Sequence, residues 1–243
     1  MIKFLNKPSG ITSRDFAEKL KKELNWDKIC FSGRLDPMAR GEMILLGNDS
    51  CKLMPQYNKH KKIYQFEICI GLQTDSDDPL GIIENFKDNL DNFELLDKLK
   101  KAILNHERIF NQNFHKFSSK PINGVPYWLL TKNNIKPDKI PNHKVEIYST
   151  DVLEFINRSS NVFYTNIINT IYHLDNKHQF RQEEIIKQWQ EMRYKYDEKF
   201  INSIKVEMCV SSGFYVRQFV RDLANEMNVP LMVYDINRIK TFV

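Results

Sequence analysis

The sequence predicts an α/β (α+β) fold in which helices flank a sheet. Residues 62–71 alternate strictly between apolar and polar side chains, which is typical of a half-buried strand. Residues 14–24 and 182–189 carry apolar side chains at helical spacing. With 243 residues, 42% of them apolar, the chain is long enough to bury a large core as one domain or as two small ones.

The first element is an amphipathic helix over about 14–24, and Ser13 is its predicted N-cap. A second pattern, 32–41, combines glycines, a proline and charges before the apolar run 43–46. It predicts a tight loop that runs into a buried strand. The loop presents one carboxylate, Asp36, because the following proline biases that residue toward an extended backbone. The alternative is an ordinary Asp-Pro turn.

The rest of the chain continues to mix strands and helices. The predicted elements are, in order, strand 62–71, helix 92–106, strands 145–156 and 161–168 paired about a turn at 157–160, helical structure over 171–199, strand 203–210 and helix 217–227.

Charge and cysteine usage limit the class of protein. The net charge is +5, and residues 1–40 hold nine Lys/Arg against five Asp/Glu. Residues 50–63 carry lysines and no acid, which suits contacts with phosphates, although a solvated surface is the alternative. The four cysteines stand singly, without the spacing of a metal site, so we expect free thiols in a reducing compartment and no metal. We also expect no membrane span or signal peptide.

Several segments resemble, in the same order, the signatures of the TruB-type tRNA pseudouridine synthases. The matching residues are Lys7, Pro8, Gly10, Thr12 and Ser13; Gly33, Leu35, Asp36, Pro37, Ala39 and Gly41; Lys62, Tyr64, Gly71, Thr74 and Asp75; and Ser211, Gly213, Tyr215 and Arg217. Residues 112–124 resemble a further segment of the family more weakly. The sequence departs from the family at Phe31, where the family commonly has His, and at Arg34, where it usually has Thr or Ala.

This resemblance implies the pseudouridine synthase fold, a mainly antiparallel mixed sheet flanked by helices with a central RNA-binding cleft. It implies a single catalytic domain over 1–243 without the C-terminal RNA-binding (PUA) domain that often follows. Relative to the family, about 169–202 is a helical insertion. That insertion is either a surface for a protein partner or a simple decoration.

The resemblance also implies roles for individual side chains. Asp36 matches the catalytic nucleophile, Arg217 the arginine that pairs with it, and Tyr64 the tyrosine that stacks beneath the flipped uracil and is a candidate for proton transfer. The implied substrate-binding residues are Lys7, Phe31, Arg34, Lys62, Tyr215, Ile236 and Arg238. The isomerisation involves no net redox change, so no cofactor and no metal are expected.

The predicted function is isomerisation of a T-loop uridine (U55 type) in tRNA after base flipping. Asp36 attacks either the sugar or the pyrimidine ring, and both routes remain open. The expected partner is the tRNA T-arm, in the cytoplasm or in the mitochondrial matrix or another reducing, RNA-containing compartment. The alternative function is a catalytically silent RNA-binding subunit of a ribonucleoprotein, which the Phe31 departure and the insertion favour.

Overall fold

A computed structural model describes residues 1–87, 93–175, 178 and 180–243. The predicted helix start at residue 92 and positions 176, 177 and 179 of the predicted insertion lie outside the described residues. The strands are β1 Ile2–Lys7, β2 Ile29–Ser32, β3 Arg40–Gly47, β4 Lys62–Ile70, β5 Leu72–Thr74, β6 Ile83–Phe86, β7 Ile109–Asn113, β8 Pro121–Ile122, β9 Val125–Pro126, β10 Asn142–Ser159, β11 Phe200–Val210 and β12 Leu231–Thr241. The helices are α1 Ser13–Glu23, α2 Met54–Tyr57, α3 Phe93–Leu104, α4 Tyr127–Lys132, α5 Ser160–Tyr172, α6 Gln182–Lys195 and α7 Val216–Met227.

The main sheet is mixed and mainly antiparallel, which confirms the predicted fold class. Its strand order is β1-β3-β12-β4-β11-β10-β7, and β2 pairs with β3. Among the described strands, β12 pairs with β3 in parallel, and the other neighbours pair antiparallel. Strand β4 therefore lies in the middle of the sheet.

Helices cover both faces of this sheet. On one face, Phe66 and Ile68 of β4 belong to a core that includes residues of α1, α3 and α7. On the other face, Cys69 of the same strand belongs to a second core with α5 and α6. The alternation of β4 sends successive side chains to opposite faces, and here each face meets its own layer of helices.

The predicted strand 161–168 and the turn at 157–160 are wrong. Strand β10 runs on to Ser159, and 160–172 forms helix α5. The buried residues Phe163, Ile167 and Ile171 are spaced four apart and form one helical stripe. The β-branched composition of the segment misled the prediction, because packing against α6 outweighs local propensity.

Smaller differences concern helix ends and strands that the sequence patterns missed. The N-cap of α1 is Thr12, whose Oγ1 accepts a hydrogen bond from Asp15 N at 3.0 Å, and not Ser13. The helical structure predicted over 171–199 begins earlier, at Ser160, and α6 ends at Lys195. Strands β1, β2 and β12 were not predicted. None of the described helices combines the length and apolar character needed to cross a membrane.

Candidate functional site

The loop that carries Asp36 is fixed by the segment between β1 and α1. Before the acid, Ser13 Oγ donates to Leu35 O at 2.7 Å and accepts from Leu35 N at 2.9 Å. After it, Gly10 N donates to Pro37 O at 3.0 Å. Because both neighbours of Asp36 are held by a second segment, the carboxylate stands in one defined position.

Lys7 reinforces the same loop from inside the protein. Its side chain is 1% exposed, and Nζ donates to Pro8 O at 2.8 Å, Ile11 O at 2.7 Å and Pro37 O at 3.3 Å. An ammonium has three N–H donors, so all of them are used. Burial lowers the pKa of Lys7 to about 7, and nearby Asp36 opposes that shift. The structure thus places Lys7 against backbone carbonyls and not at the surface where a phosphate would approach.

Arg217 forms a two-pronged ion pair with Asp36. Its Nε donates to Oδ2 at 2.8 Å, and Nη2 donates to Oδ1 at 2.7 Å. The arginine side chain is 5% exposed and the aspartate side chain 32% exposed. The predicted contact between these residues is therefore observed, with the guanidinium inside and the carboxylate reachable from solvent. A planar fork of this kind holds a carboxylate both ionised and oriented.

The remaining edge of the guanidinium is bound by the turn between β5 and β6. Arg217 Nη1 donates to Ser76 O at 3.0 Å and lies 3.6 Å from Asp78 Oδ2. Burial raises the pKa of Asp78 to about 6, while Arg217 opposes that shift and Asp36 adds to it. Arg217 is thus held by a buried carboxylate on one side and an accessible one on the other.

A second buried ion network lies beside this pair. Asp77 Oδ2 contacts His115 Nε2 at 2.8 Å and is also bound by Arg221 Nε. Phe117 N donates to His115 Nδ1 at 3.2 Å, so the proton of the neutral ring lies on Nε2 and points at Asp77. Burial, followed by the charge of Arg217, holds the pKa of His115 well below its usual value. This histidine stays neutral near pH 7.

The sequence analysis missed Asp77, Asp78, His115 and Arg221. The available signal was the run of acids directly after β5, in which only Asp75 had been matched to a motif. Acids that follow a strand are common in turns, and their burial became evident only from the fold.

Tyr64 and Ile236 are buried in the apolar core on the α1, α3 and α7 side of the sheet. Both side chains are 8% exposed. They belong to the same apolar cluster as Leu35 and Ala39, which flank the acid in the chain. The predicted uracil-stacking tyrosine and the predicted apolar contact therefore share one core with two residues of the loop that carries Asp36.

Tyr215 lies at the start of α7, next to the ion pair. Gln112, which is fully buried, donates to Tyr215 O at 3.0 Å and accepts from Tyr215 N at 2.8 Å. Burial raises the pKa of the Tyr215 phenol to about 12, and the charge of Asp36 adds to this. The clamp fixes the first turn of α7, from which Arg217 projects.

Phe31 and Arg34 form an accessible pair next to the acid. The guanidinium carbon of Arg34 lies 5.6 Å from the centroid of the Phe31 ring, within the range of a cation–π contact. Arg34 is exposed and Phe31 half-buried. A half-exposed ring beside a free guanidinium is a surface on which a nucleobase can stack.

Lys62 and Arg238 lie underneath the loop rather than at its surface. Lys62 Nζ donates to His60 O at 2.7 Å, and burial lowers the pKa of this lysine to about 8. Arg238 is 1% exposed and donates to Glu42 O at 2.6 Å and Gly33 O at 2.9 Å. Gly33 has a φ of 69°, and a Cβ there would lie 2.9 Å from Nη1 of the buried Arg238, so another residue would be strained and would displace that side chain.

A cavity of about 560 Å³ lies between the sheet and α5, and Met38 and Arg40 of the Asp36 loop are among the residues that line it. Asp36, Tyr64 and Arg217 do not line it. The central RNA-binding cleft therefore stays a prediction. Within the described part of the chain, no group of three or more His, Cys, Asp and Glu side chains is arranged to hold a metal ion.

Comparison with known sequences identifies similar proteins. Residues 21–172 match the model of the TruB family pseudouridylate synthases, N-terminal domain. A protein of Ureaplasma urealyticum serovar 10 named tRNA pseudouridine synthase B is 28% identical over 225 residues, which are 92% of this chain and 78% of that protein. Proteins with the same name from Endomicrobium trichonymphae and Aquifex aeolicus are 34% and 31% identical over 60% and 61% of this chain. The chain spans 65% and 50% of the length of those two relatives.

Solved structures with a similar fold come from ribonucleoproteins. An H/ACA ribonucleoprotein bound to a substrate RNA containing 2'-deoxyuridine matches with a TM-score of 0.56 at 14% identity, over 99% of this chain and 47% of that one. A Cbf5–Nop10–Gar1 complex matches with a TM-score of 0.54 at 14% identity, over 99% and 48% of the two chains. At this identity the likeness shows the fold alone.

Proposed function

The chain belongs to the TruB family of pseudouridylate synthases, and from this premise we propose that it converts a uridine in the T-loop of tRNA to pseudouridine with Asp36 as the nucleophile. The enzyme class is that of an isomerase acting on RNA. The choice of tRNA rests on the relatives that carry the name tRNA pseudouridine synthase B. The observation that carries the proposal is the fork of Arg217 on the half-exposed carboxylate of Asp36.

The reaction breaks the bond between C1′ of the ribose and N1 of uracil and forms a bond between C1′ and C5. Asp36 adds either to C1′ of the ribose or to the pyrimidine ring, and it is released when the new C–C bond is complete. The proton on C5 is then removed and N1 is protonated, so that atoms and electrons balance. Arg217 orients the attacking carboxylate by donating to both of its oxygens.

The base must leave its stack before it reaches Asp36. Extrusion of a nucleotide costs a few kcal/mol, and less when the nucleotide lies in a loop. Tyr64 and Ile236, which share an apolar core with Leu35 and Ala39 of the Asp36 loop, form the proposed receiving pocket, and Tyr64 is the proposed group for proton transfer. Phe31 and Arg34 stack against the bases that remain.

The cations around the site divide into two groups. Lys7 and Arg238 are buried and donate to Pro37 O and Gly33 O, so their proposed role is to hold the loop in its active shape. Lys62 is also buried, but it donates to His60 O, outside the loop. Lys59 and Lys61 are exposed and are the proposed contacts to RNA phosphates. The alternative of a catalytically silent subunit gains no support from this arrangement, because a scaffold has no need for an oriented, accessible carboxylate.

The test is the Asp36→Asn variant, assayed for pseudouridine formation in an unmodified tRNA transcript. We expect no product and unchanged RNA binding, since the amide keeps the shape of the side chain but is not nucleophilic. Asp49→Asn is the matched control, because the Asp49 side chain is 98% exposed and outside the site. Wild-type activity in Asp36→Asn would overturn the proposed function.

A further inference from the structure

Helix α6 and its N-cap residue Arg181 contact the turn between β5 and β6. Three contacts join the two elements: Arg181 donates to Asp75 at 2.7 and 3.2 Å, Trp189 Nε1 donates to Pro79 O at 2.9 Å, and Ile83 N donates to Gln188 Oε1 at 2.9 Å. The contacts reach the start, the tip and the end of the turn. The Trp189 side chain is fully buried, so its N–H has no access to water as a replacement acceptor.

The same turn holds the inner side of Arg217. Ser76 O accepts from the guanidinium, and Asp78 supplies the buried counter-charge. Pro79, which α6 binds, directly follows Asp78 in the chain. A continuous path of hydrogen bonds and covalent bonds therefore runs from α6 to Arg217 and on to Asp36.

Apolar packing joins the same elements to the Asp36 loop. Met38, two residues after the acid, is 9% exposed. It belongs to the core that contains Leu72 of β5, Leu80 of the turn, and Phe163 and Ile186, from the two helices. The loop, the turn and the helical hairpin α5–α6 thus share one apolar core.

The backbone at the start of α6 also favours a positioning role. Arg181 has a φ of 61°, a left-handed backbone conformation that is unfavourable for a residue with a Cβ. Its guanidinium binds Asp75 and lies 5.7 Å from the Phe117 ring centroid. Surrounding contacts therefore keep this residue in an unfavourable conformation at the point where α6 meets the turn.

We propose that the hairpin α5–α6 is an internal brace that positions Arg217, and through it Asp36, by fixing the β5–β6 turn. Arg181 and Trp189 are the positioning residues. The inference rests on the proposed function for the catalytic meaning of the ion pair, but the brace itself is a claim about the geometry of Arg217. The brace gives a role to α6, which lies in the predicted insertion at about 169–202, and to α5, most of which precedes that insertion.

Two variants test the brace in the full-length protein. Trp189→Phe keeps an aromatic ring and removes the N–H, and Arg181→Ala removes the ion pair with Asp75. We expect the single-turnover rate at saturating enzyme to fall by about ten- to a hundredfold, with an unchanged Kd for the tRNA transcript. Arg181→Lys keeps the charge and should recover part of the rate. Arg193→Ala, an exposed arginine of the same helix, is the matched control and should behave as wild type.

An NMR measurement separates the brace from the activity. In protein labelled with ¹⁵N-arginine, the Nε–H signal of Arg217 reports its bond to Asp36. We expect this signal to shift and to exchange faster with solvent in Arg181→Ala and Trp189→Phe, and to be unchanged in Arg193→Ala. If Trp189→Phe does not fold, the Arg217 Nε–H signal of Arg181→Ala alone decides whether α6 positions Arg217.

The outcomes are distinct. Wild-type Nε–H behaviour in both variants, or a loss of RNA affinity with an unchanged saturating rate, would overturn the brace. An inactive wild-type protein would overturn the proposed function, while the NMR comparison would still decide whether α6 positions Arg217.

Discussion

Arg217 Nη1 lies 3.6 Å from Asp78 Oδ2, so the guanidinium that forks onto the accessible Asp36 is also held by a buried acid. One cation thus serves two carboxylates through different nitrogen atoms. A point charge cannot reproduce this arrangement, because the contacts depend on the planar spread of the guanidinium.

Arg217→Lys should therefore inactivate the protein although the charge is kept. An ammonium cannot bind both oxygens of Asp36 and reach Ser76 O as well. We expect the single-turnover rate on a tRNA transcript to fall by at least about a hundredfold, the usual scale for a lost electrostatic contact in an active site. Arg40→Lys is the control, because Arg40 Nη2 donates to Asp235 Oδ2 at 2.8 Å, a contact that a lysine ammonium can also make. A rate within a few-fold of wild type would contradict the role assigned to the fork.

Asp78→Asn should change how stability depends on pH. The pKa of Asp78 in the folded protein is about 6, above its ordinary value of 3.8, because of burial. The folded state thus keeps a proton that the unfolded chain has already lost, and the stabilisation disappears as the pH rises through about 6. The titration of Asp78 therefore lowers the free energy of unfolding by about 3 kcal/mol in total as the pH rises.

The measurement is urea unfolding of wild type and Asp78→Asn from about pH 4 to about pH 8. The asparagine keeps an oxygen that accepts from Ser76 and Leu80 but does not titrate. The free energy of unfolding of wild type minus that of the variant should therefore fall across this interval. His115 has the opposite effect on stability: its pKa is lowered in the folded protein, so the free energy of unfolding falls as the pH falls. This contribution is the same in wild type and variant, and the subtraction cancels it. A difference that stays constant with pH would show that Asp78 does not carry the raised pKa.

The sequence predicted the parts of the site that recur as compact motifs. Asp36 and Arg217 are 181 positions apart, and their contact was expected because each stands in a signature of fixed spacing. The alternation of β4 also predicted a strand correctly, although helices cover both of its faces and a half-buried strand was expected. These features are local in the chain, so a pattern reveals them.

The parts that were missed depend on burial, which a local pattern does not show. Lys7 lies in a turn-rich segment and looks like a surface cation, yet the fold closes over it. Asp78 looks like a turn residue, yet it is the buried partner of Arg217. The segment at 161–168 has the composition of a strand, and only the facing surface of α6 makes it a helix.

Phe31→Leu should weaken RNA binding, whereas Phe31→Trp should keep the affinity of wild type. Leucine fills similar space but offers no ring on which a base or Arg34 can stack. We expect the RNA affinity of Phe31→Leu to fall by roughly 1–3 kcal/mol, measured by filter binding with a T-arm stem–loop. Phe200→Leu is the control, because Phe200 is exposed at the start of β11. Equal affinities for the leucine and tryptophan variants would exclude stacking by this ring.

The Lys7→Met variant tests whether Lys7 fixes the loop or binds RNA phosphates. Methionine keeps an apolar stem in the buried site but leaves the carbonyls of Pro8, Ile11 and Pro37 without their donor. We expect a loss of about 2–3 kcal/mol in the free energy of unfolding, measured with urea, and a slower single turnover.

The salt dependence of RNA binding then distinguishes the two roles of Lys7. A lysine that contacts phosphate releases counterions, and its loss reduces the slope of log K against log salt concentration by about 1. Exposed Lys59 should behave in this way when it is changed to alanine. Lys7→Met should leave the slope at the wild-type value, because the ammonium is 1% exposed and its donors are used within the protein. A slope reduced as in Lys59→Ala would mean that Lys7 leaves its carbonyls when RNA binds.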